Sequence, residues 1–222
     1  MEFQSRPILL KDLGWYEVKL EKDIVDFLWR MIEDPNKKSL KDDLAGNISK
    51  SYMVSDEGDY FYKNVLSYLV AKWENEKGFS DLQIPINERF QFYLKSLWVN
   101  YQYQHEFNPI HEHPAAVFSF ALWLKIPYSY EEQIKLPFLE GIKKEEKRPG
   151  CFQFEYLSMY GKAREHVYRL SPKYEGQMVF FPAQLRHTVY PFYNTKAPRI
   201  SLSGNICCKP GTEIPNMSVG VV

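Results

Sequence analysis

Cysteine is scarce in this chain of 222 residues, which has only three. Cys207 and Cys208 are neighbours and Cys151 stands apart, so we expect no disulfide framework, three small apolar residues and a reducing compartment. No apolar run approaches the length of a membrane span, and the first residues lack the basic segment and apolar run of a signal peptide. A cytoplasmic protein is therefore expected, in the host's cytoplasm if the chain is viral.

An excess of either charge is also missing. Lys and Arg total 28, and Asp and Glu total 28, so the chain lacks the basic footprint of a nucleic-acid-binding protein. We expect neither a nucleic-acid partner nor a membrane partner. Aromatic residues are plentiful at 16%, which favours strands over helices.

Hydrophobic spacing separates a helical part of the chain from a strand-rich part. The period typical of helices predicts two of them, over residues 23–33 and 60–73, and strand-like alternation begins near Phe90. The charged residues 128–148 are interpreted as a solvated insertion between strands. Seven or more short strands after two helices predict a mainly β (α+β) fold, a double-stranded β-helix or jelly roll with flanking N-terminal helices.

The chain shows no linker rich in Gly, Ser or Pro and no internal repeat, and its length suits one domain. We therefore predict a single domain over residues 1–222. It would comprise a helical flank at 1–89, a jelly-roll core at 90–206 and a C-terminal tail at 207–222.

The most informative stretch, residues 108–114, contains His111 and His113. Side chains two positions apart in an extended segment point to the same face, so this pair can approach one metal ion. His187 follows an apolar strand that ends at Pro182, and a third imidazole from there would complete a facial set with open coordination positions. The alternative is that the histidines are ordinary hydrogen-bonded residues. His105 and His166 lack such a context, and we expect them at a strand end and on the surface.

The final predicted strand is sharply two-faced. Its polar side presents Arg199, Ser201, Ser203 and Asn205, and its apolar side presents Ile200, Leu202 and Ile206. An Arg two residues before a hydroxyl can hold a small carboxylate, and a polar face that points inward needs a polar partner. We favour a bound dicarboxylate over the alternative, an ion pair at the surface of a sheet.

In order and spacing, these pieces resemble the iron(II)- and 2-oxoglutarate-dependent oxygenases, especially the prolyl-hydroxylase-like branch of bacteria and marine phages. The matching segments are residues 98–102, 106–113, 119–124, 180–182 with His187, and 199–205. The resemblance implies that His111 and His187 bind iron(II). It also implies that Arg199 holds the far carboxylate of 2-oxoglutarate, with Ser201 as its hydroxyl partner.

One position departs from the pattern of that superfamily. Its members usually have a carboxylate two residues after the first histidine, where this chain has His113. Either the site has three histidines, or Glu112 or Glu106 replaces the missing ligand. Strand alternation places Glu112 on the opposite face, so we favour His113.

The resemblance implies a dioxygenase that uses molecular oxygen to hydroxylate an unidentified substrate, either a small molecule or a protein, and forms succinate and CO2. Two alternatives stay open. A cupin-type dioxygenase with three histidines would bind its substrate directly to iron and would not need Arg199 and Ser201. A metal-free β-sandwich interaction module would leave the histidines as ordinary residues.

Overall fold

The computed structural model describes residues 14–34, 38–39, 46–78 and 90–210. The parts of the predicted flank and tail outside these ranges are therefore not described. The helices are α1 (Lys22–Ile32), α2 (Ser67–Glu76) and α3 (Tyr130–Gln133). The strands are β1 (Tyr16–Lys19), β2 (Lys50–Met53), β3 (Phe90–Gln102), β4 (Asn108–His111), β5 (Phe118–Lys125), β6 (Phe152–Leu157), β7 (Ala163–Tyr168), β8 (Gln177–Pro182), β9 (Arg186–Val189) and β10 (Arg199–Pro210).

The strands form two antiparallel sheets. The larger has the order β1-β8-β5-β10-β3-β2 and the smaller the order β4-β9-β6-β7. Apart from β6 and β7, which pair within the smaller sheet, strands β3 to β10 alternate between these sheets, and this is the arrangement of a double-stranded β-helix. The predicted jelly roll is therefore confirmed. The N-terminal region contributes more than helices, because β1 and β2 form the two edges of the larger sheet.

Both predicted helices lie on the outer face of the larger sheet. In α1, Ile24, Leu28 and Ile32 recur every four residues and are buried, as the helical period requires. A π-helical turn at Tyr62–Leu66 leads directly into α2. The apolar residues of both helices pack in one cluster with the outward side chains of β5 and β10. This cluster holds the larger sheet rigid behind the inner face.

A second apolar cluster fills part of the space between the sheets. It joins Trp123 and Phe181 of the larger sheet to Phe152 and Phe154 of the smaller one. Beyond this cluster, the two sheets enclose a cavity that polar side chains line in part.

Residues 128–148 do lie between two strands, but they are not simply a solvated loop. The segment carries α3 and two short 3-10 helical turns, and Tyr128 and Tyr130 at its start are buried.

In the part of the chain that the structure describes, no helix is long and apolar enough to cross a membrane. All three cysteines are free, with Cys151 and Cys207 buried and Cys208 half-buried.

Candidate metal centre and adjoining cavity

His111, His113 and His187 come together at one end of the space between the sheets. Strands β4 and β9 pair with His111 directly opposite His187, and these two rings have centroids 4.2 Å apart. His113 follows two residues after His111, and its backbone N–H donates to the carbonyl of Ala183 at 2.8 Å. The ligand atoms of all three side chains lie within 4.8 Å of one another. The predicted histidine cluster is therefore present in the fold.

Backbone carbonyls fix the orientation of two of the rings. The Nδ1 atom of His111 lies 2.8 Å from the carbonyl oxygen of Pro109, and that of His187 lies 3.0 Å from the carbonyl oxygen of Leu185. A carbonyl can only accept a hydrogen bond, so both Nδ1 atoms must carry the proton. Each Nε2 then keeps a free lone pair, which is the state that binds a metal.

The environment keeps all three imidazoles neutral. Burial, together with the nearby His111, lowers the pKa of His187 to about 3. Burial and the same neighbour lower the pKa of His113 to about 4, and burial lowers the pKa of His111. Neutral imidazole is the ligand form, so the three residues are ready to bind a metal at neutral pH without releasing protons.

The other candidate ligands lie elsewhere. The two carboxylate oxygens of Glu106 accept the backbone N–H groups of Ser49, at 3.2 Å, and Tyr103, at 2.8 Å. Glu112 is exposed, and neither acid belongs to the group of possible ligands found among the described residues.

The two remaining histidines are also outside this group. His105 adopts a positive φ of 70° and packs edge-on against Tyr193. His166 is exposed and contacts Trp15. Both therefore serve as controls for experiments on the three clustered histidines.

A cavity of about 370 Å³ adjoins the histidine cluster. Its opposite wall includes the polar face of β10, namely Arg199, Ser201, Ser203 and Asn205. Leu202 and Ile206 point the other way, into the cluster beneath the helices. The two-faced pattern of the sequence therefore corresponds to a strand with one face in the cavity.

Arg199 is buried at 2% exposure, and all its hydrogen bonds to described residues go to neutral oxygens. Its guanidinium donates to the hydroxyl of Tyr128 at 2.6 Å, to the carbonyl of Gly150 at 3.2 Å and to the side-chain oxygen of Gln102. Within the described ranges, no carboxylate forms an ion pair with it. A buried charge without a counterion is costly, so this position is suited to an anionic ligand.

Tyr128 and Gln102 also belong to this site, although the sequence did not indicate them. Gln102 is the cross-strand neighbour of Arg199, two residues after Asn100 in β3. Tyr128 belongs to the segment that was interpreted as solvated. Its ring stacks on Phe192, and burial raises its pKa to about 12, so its hydroxyl stays protonated and neutral beside the guanidinium.

The residues present fit both an iron-class metal ion and a small dicarboxylate. Three neutral nitrogen ligands on one side of an ion leave its other coordination positions open, as in the facial sites of non-haem iron enzymes. The unpaired guanidinium of Arg199 borders the same cavity and supplies planar donors that match a carboxylate. The fold and the site thus define a jelly-roll protein with three clustered histidines and a buried arginine in the wall of one cavity.

A family model described as "Putative 2OG-Fe(II) oxygenase" matches residues 96–205. Through this segment, just under half of the chain, the protein matches the 2OG-Fe(II) oxygenases, whose two cofactors are iron(II) and 2-oxoglutarate. The predicted family and cofactors are confirmed. No curated protein matches the sequence.

Solved structures share the fold at low sequence identity. One is an oxidoreductase of the 2OG-Fe(II) oxygenase family from Burkholderia pseudomallei, with 11% identity and a TM-score of 0.56 over 88% of this chain and 86% of that one. Another is a prolyl-4-hydroxylase from Pseudomonas putida, with 16% identity and a TM-score of 0.50 over 87% of this chain and 92% of that one. At such identities the likeness supports the jelly-roll fold.

Proposed function

We propose that the chain binds iron(II) through His111, His113 and His187 and holds the far carboxylate of 2-oxoglutarate with Arg199 and Ser201. It would hydroxylate a substrate that is still unidentified and release succinate and CO2. The observation that carries this proposal is Arg199, a buried guanidinium whose partners among the described residues are all neutral. It borders the same cavity as three clustered imidazoles.

Iron(II) with 2-oxoglutarate supplies the oxidising chemistry, in which molecular oxygen is the oxidant and a C–H bond of the substrate becomes C–OH. The residues of the chain bind, orient and shield these groups. The Nε2 atoms of His111 and His187 face the metal position because the carbonyls of Pro109 and Leu185 hold the opposite ring nitrogens. Arg199 offers two parallel N–H donors to one carboxylate, and this fixes the direction in which the cosubstrate lies.

The apolar side chains beside the site favour the same chemistry. Phe152 stacks on His187 with ring centroids 5.6 Å apart, and both Phe152 and Trp123 line the cavity. These rings exclude water from one side of the metal position, which strengthens electrostatic interactions there. A dioxygenase that binds its substrate directly to iron would have no use for a buried Arg199, and a metal-free module would have no use for three oriented neutral imidazoles.

Turnover of the cosubstrate tests the proposed reaction. We expect purified protein supplied with iron(II), 2-oxoglutarate and oxygen to form succinate and CO2 in equal amounts, slowly as long as no substrate is added. Removing iron with a chelator should abolish both products, and adding it back should restore them. Succinate formation that does not depend on iron, or no succinate under any of these conditions, would contradict the proposal.

The third histidine changes the charge of the proposed centre. Iron(II) with two imidazoles and one carboxylate carries a net charge of about +1, whereas three neutral imidazoles leave about +2. Inside a cavity of low dielectric, the more positive centre should bind the 2-oxoglutarate dianion more tightly. It should bind the metal itself less tightly, because a neutral ligand replaces a charged one.

His113→Asp is therefore expected to increase the affinity for iron(II) and to decrease the affinity for 2-oxoglutarate. Both affinities would be measured anaerobically on wild type, His113→Asp and His113→Ala. His113→Ala should bind iron less tightly than wild type, because it loses a ligand. If His113→Ala binds iron as well as wild type does, His113 is not a ligand, and Glu112 and Glu106 have to be tested in its place.

A further inference from the structure

Asn100 occupies the strand position next to the proposed cosubstrate residues. On one side of β3 it pairs with Ser201 of β10, and on the other side it pairs with Ser51 of β2. Side chains of directly opposite residues on one face of a sheet lie about 5 Å apart at their Cβ atoms. Asn100 and Ser201 both line the cavity, so a ligand that touches the Ser201 hydroxyl also lies beside the Asn100 carboxamide.

Ser51 fixes the orientation of this carboxamide. The hydroxyl of Ser51 donates to Oδ1 of Asn100 at 2.7 Å, and Ser51 is completely buried. A buried hydroxyl needs an acceptor for its proton, and among the described residues that acceptor is Oδ1 of Asn100. If the carboxamide were rotated by 180°, Ser51 would face an NH2 group and would lose its acceptor. Oδ1 is therefore directed away from the cavity, towards β2.

The Nδ2 atom of Asn100 is consequently the end of the carboxamide that the cavity can reach. Asn100 is only 6% exposed, yet no residue in the described ranges accepts a hydrogen bond from this nitrogen. Nor is the nitrogen sealed in the interior, since among the described residues the buried side-chain polar atoms without a partner are Nε1 of Trp73 and Oδ1 of Asn108. An amide N–H is a hydrogen-bond donor that seeks an acceptor. At the edge of the cavity, this donor is available to an oxygen of a molecule bound there.

We propose that Asn100 is a third binding residue for 2-oxoglutarate, whose Nδ2 donates to a carboxylate oxygen of the cosubstrate, and that Ser51 is the positioning residue that holds this donor in place. The inference rests on the proposed function and extends it. It gives the N-terminal strand β2 a part in cosubstrate binding, because Ser51 belongs to β2. Ser51 lies outside residues 96–205, the segment that matches the family model.

Two variants of Asn100 test the donor directly. Asn100→Asp has almost the same shape and can still accept the Ser51 hydroxyl, but it replaces the NH2 group with a charged acceptor. The affinity of the iron-loaded protein for 2-oxoglutarate would be measured anaerobically, with the iron content of each variant as the check on folding. A hydrogen bond to a charged group corresponds to about a tenfold to hundredfold change in affinity. We expect about a tenfold loss in Asn100→Ala, a larger loss in Asn100→Asp, and wild-type iron content in both.

A double-mutant cycle separates positioning from general damage. Ser51→Ala should weaken 2-oxoglutarate binding several-fold in the wild-type background. In the Asn100→Ala background it should have no further effect, because residues that act through one contact are not additive. An equal loss in both backgrounds would show that Ser51 merely stabilises the sheet, and would overturn its proposed role.

Ser119 provides a matched control. It is also a buried serine, and its hydroxyl donates to the Oδ1 atom of a cavity asparagine, Asn205, at 2.7 Å. Asn205 is four residues further along β10 than Ser201, which is about 13 Å in an extended strand. Ser119→Ala should therefore leave the affinity for 2-oxoglutarate within twofold of wild type. A loss of affinity as large as that of Ser51→Ala would contradict the proposal. It would show that removing any buried serine behind the cavity weakens 2-oxoglutarate binding.

The affinity of wild type for 2-oxoglutarate shows whether a negative result overturns the role of Asn100 alone or the proposed function as well. If wild type itself does not bind 2-oxoglutarate, the proposed function fails and the present inference fails with it. If wild type binds 2-oxoglutarate and both Asn100 variants bind it equally well, only the role of Asn100 and Ser51 is wrong.

Discussion

Arg199→Ala is expected to reduce the affinity for 2-oxoglutarate at least thirtyfold and to leave the iron content unchanged. The guanidinium is buried, has no ion-pair partner in the described part of the chain, and borders the cavity. Losing one partner of a buried charge-assisted pair costs about 2–5 kcal/mol when the other partner is left unpaired. The measurement is an anaerobic titration of each iron-loaded variant with 2-oxoglutarate.

Two further variants control this experiment. Arg199→Lys should recover only part of the affinity, because an ammonium group lacks the planar fork of the guanidinium. Arg186→Ala removes an exposed arginine next to His187 in β9 and should bind 2-oxoglutarate like wild type. Equal affinity in wild type and Arg199→Ala would instead favour a dioxygenase that binds its substrate directly to iron.

His187→Ala is expected to lose nearly all of the bound iron, and with it all turnover. His187 is 4% exposed, lies directly opposite His111 across β4 and β9, and would supply one of only three protein ligands. Its replacement leaves two imidazoles, so the site can no longer offer a facial set. Metal analysis of purified protein gives the iron content per chain.

The controls are His105→Ala and His166→Ala, which remove histidines outside the cluster and should retain iron. Because the alanine also leaves a space beside Phe152, His187→Gln provides a variant closer in size to the native residue. Thermal unfolding of both His187 variants without metal would show whether they fold. A folded His187→Ala protein with full iron content would show that His187 is not a ligand.

Much of the site could be predicted because its signals are local. The alternation of side chains in a strand places His111 and His113 on one face, and the same rule separates Arg199 and Ser201 from Leu202. The proline at the end of β8 and the turn after it set His187 near the start of β9, as expected. Each of these inferences needs only the geometry of a single strand.

The remaining features depend on contacts between distant segments, which periodicity does not specify. Nothing in the sequence indicates that His111 pairs with His187, or that Ser51 from the N-terminal region lies beside Asn100. The role of Tyr128 was missed because it lies at the start of a charged segment, and only the tertiary fold brings its hydroxyl to Arg199. The position of Glu106 was likewise left open, since its backbone partners include Ser49, which is distant in sequence.

An anaerobic titration of the wild-type protein with iron(II), with and without 2-oxoglutarate, tests the central claim most directly. A visible charge-transfer band arises only when the metal and the keto acid share one centre. We predict that this band appears with both components, saturates at one iron and one 2-oxoglutarate per chain, and is absent with either component alone. Iron binding without the band at saturating 2-oxoglutarate, or no iron binding at all, would contradict the assignment of this cavity as the oxygenase site.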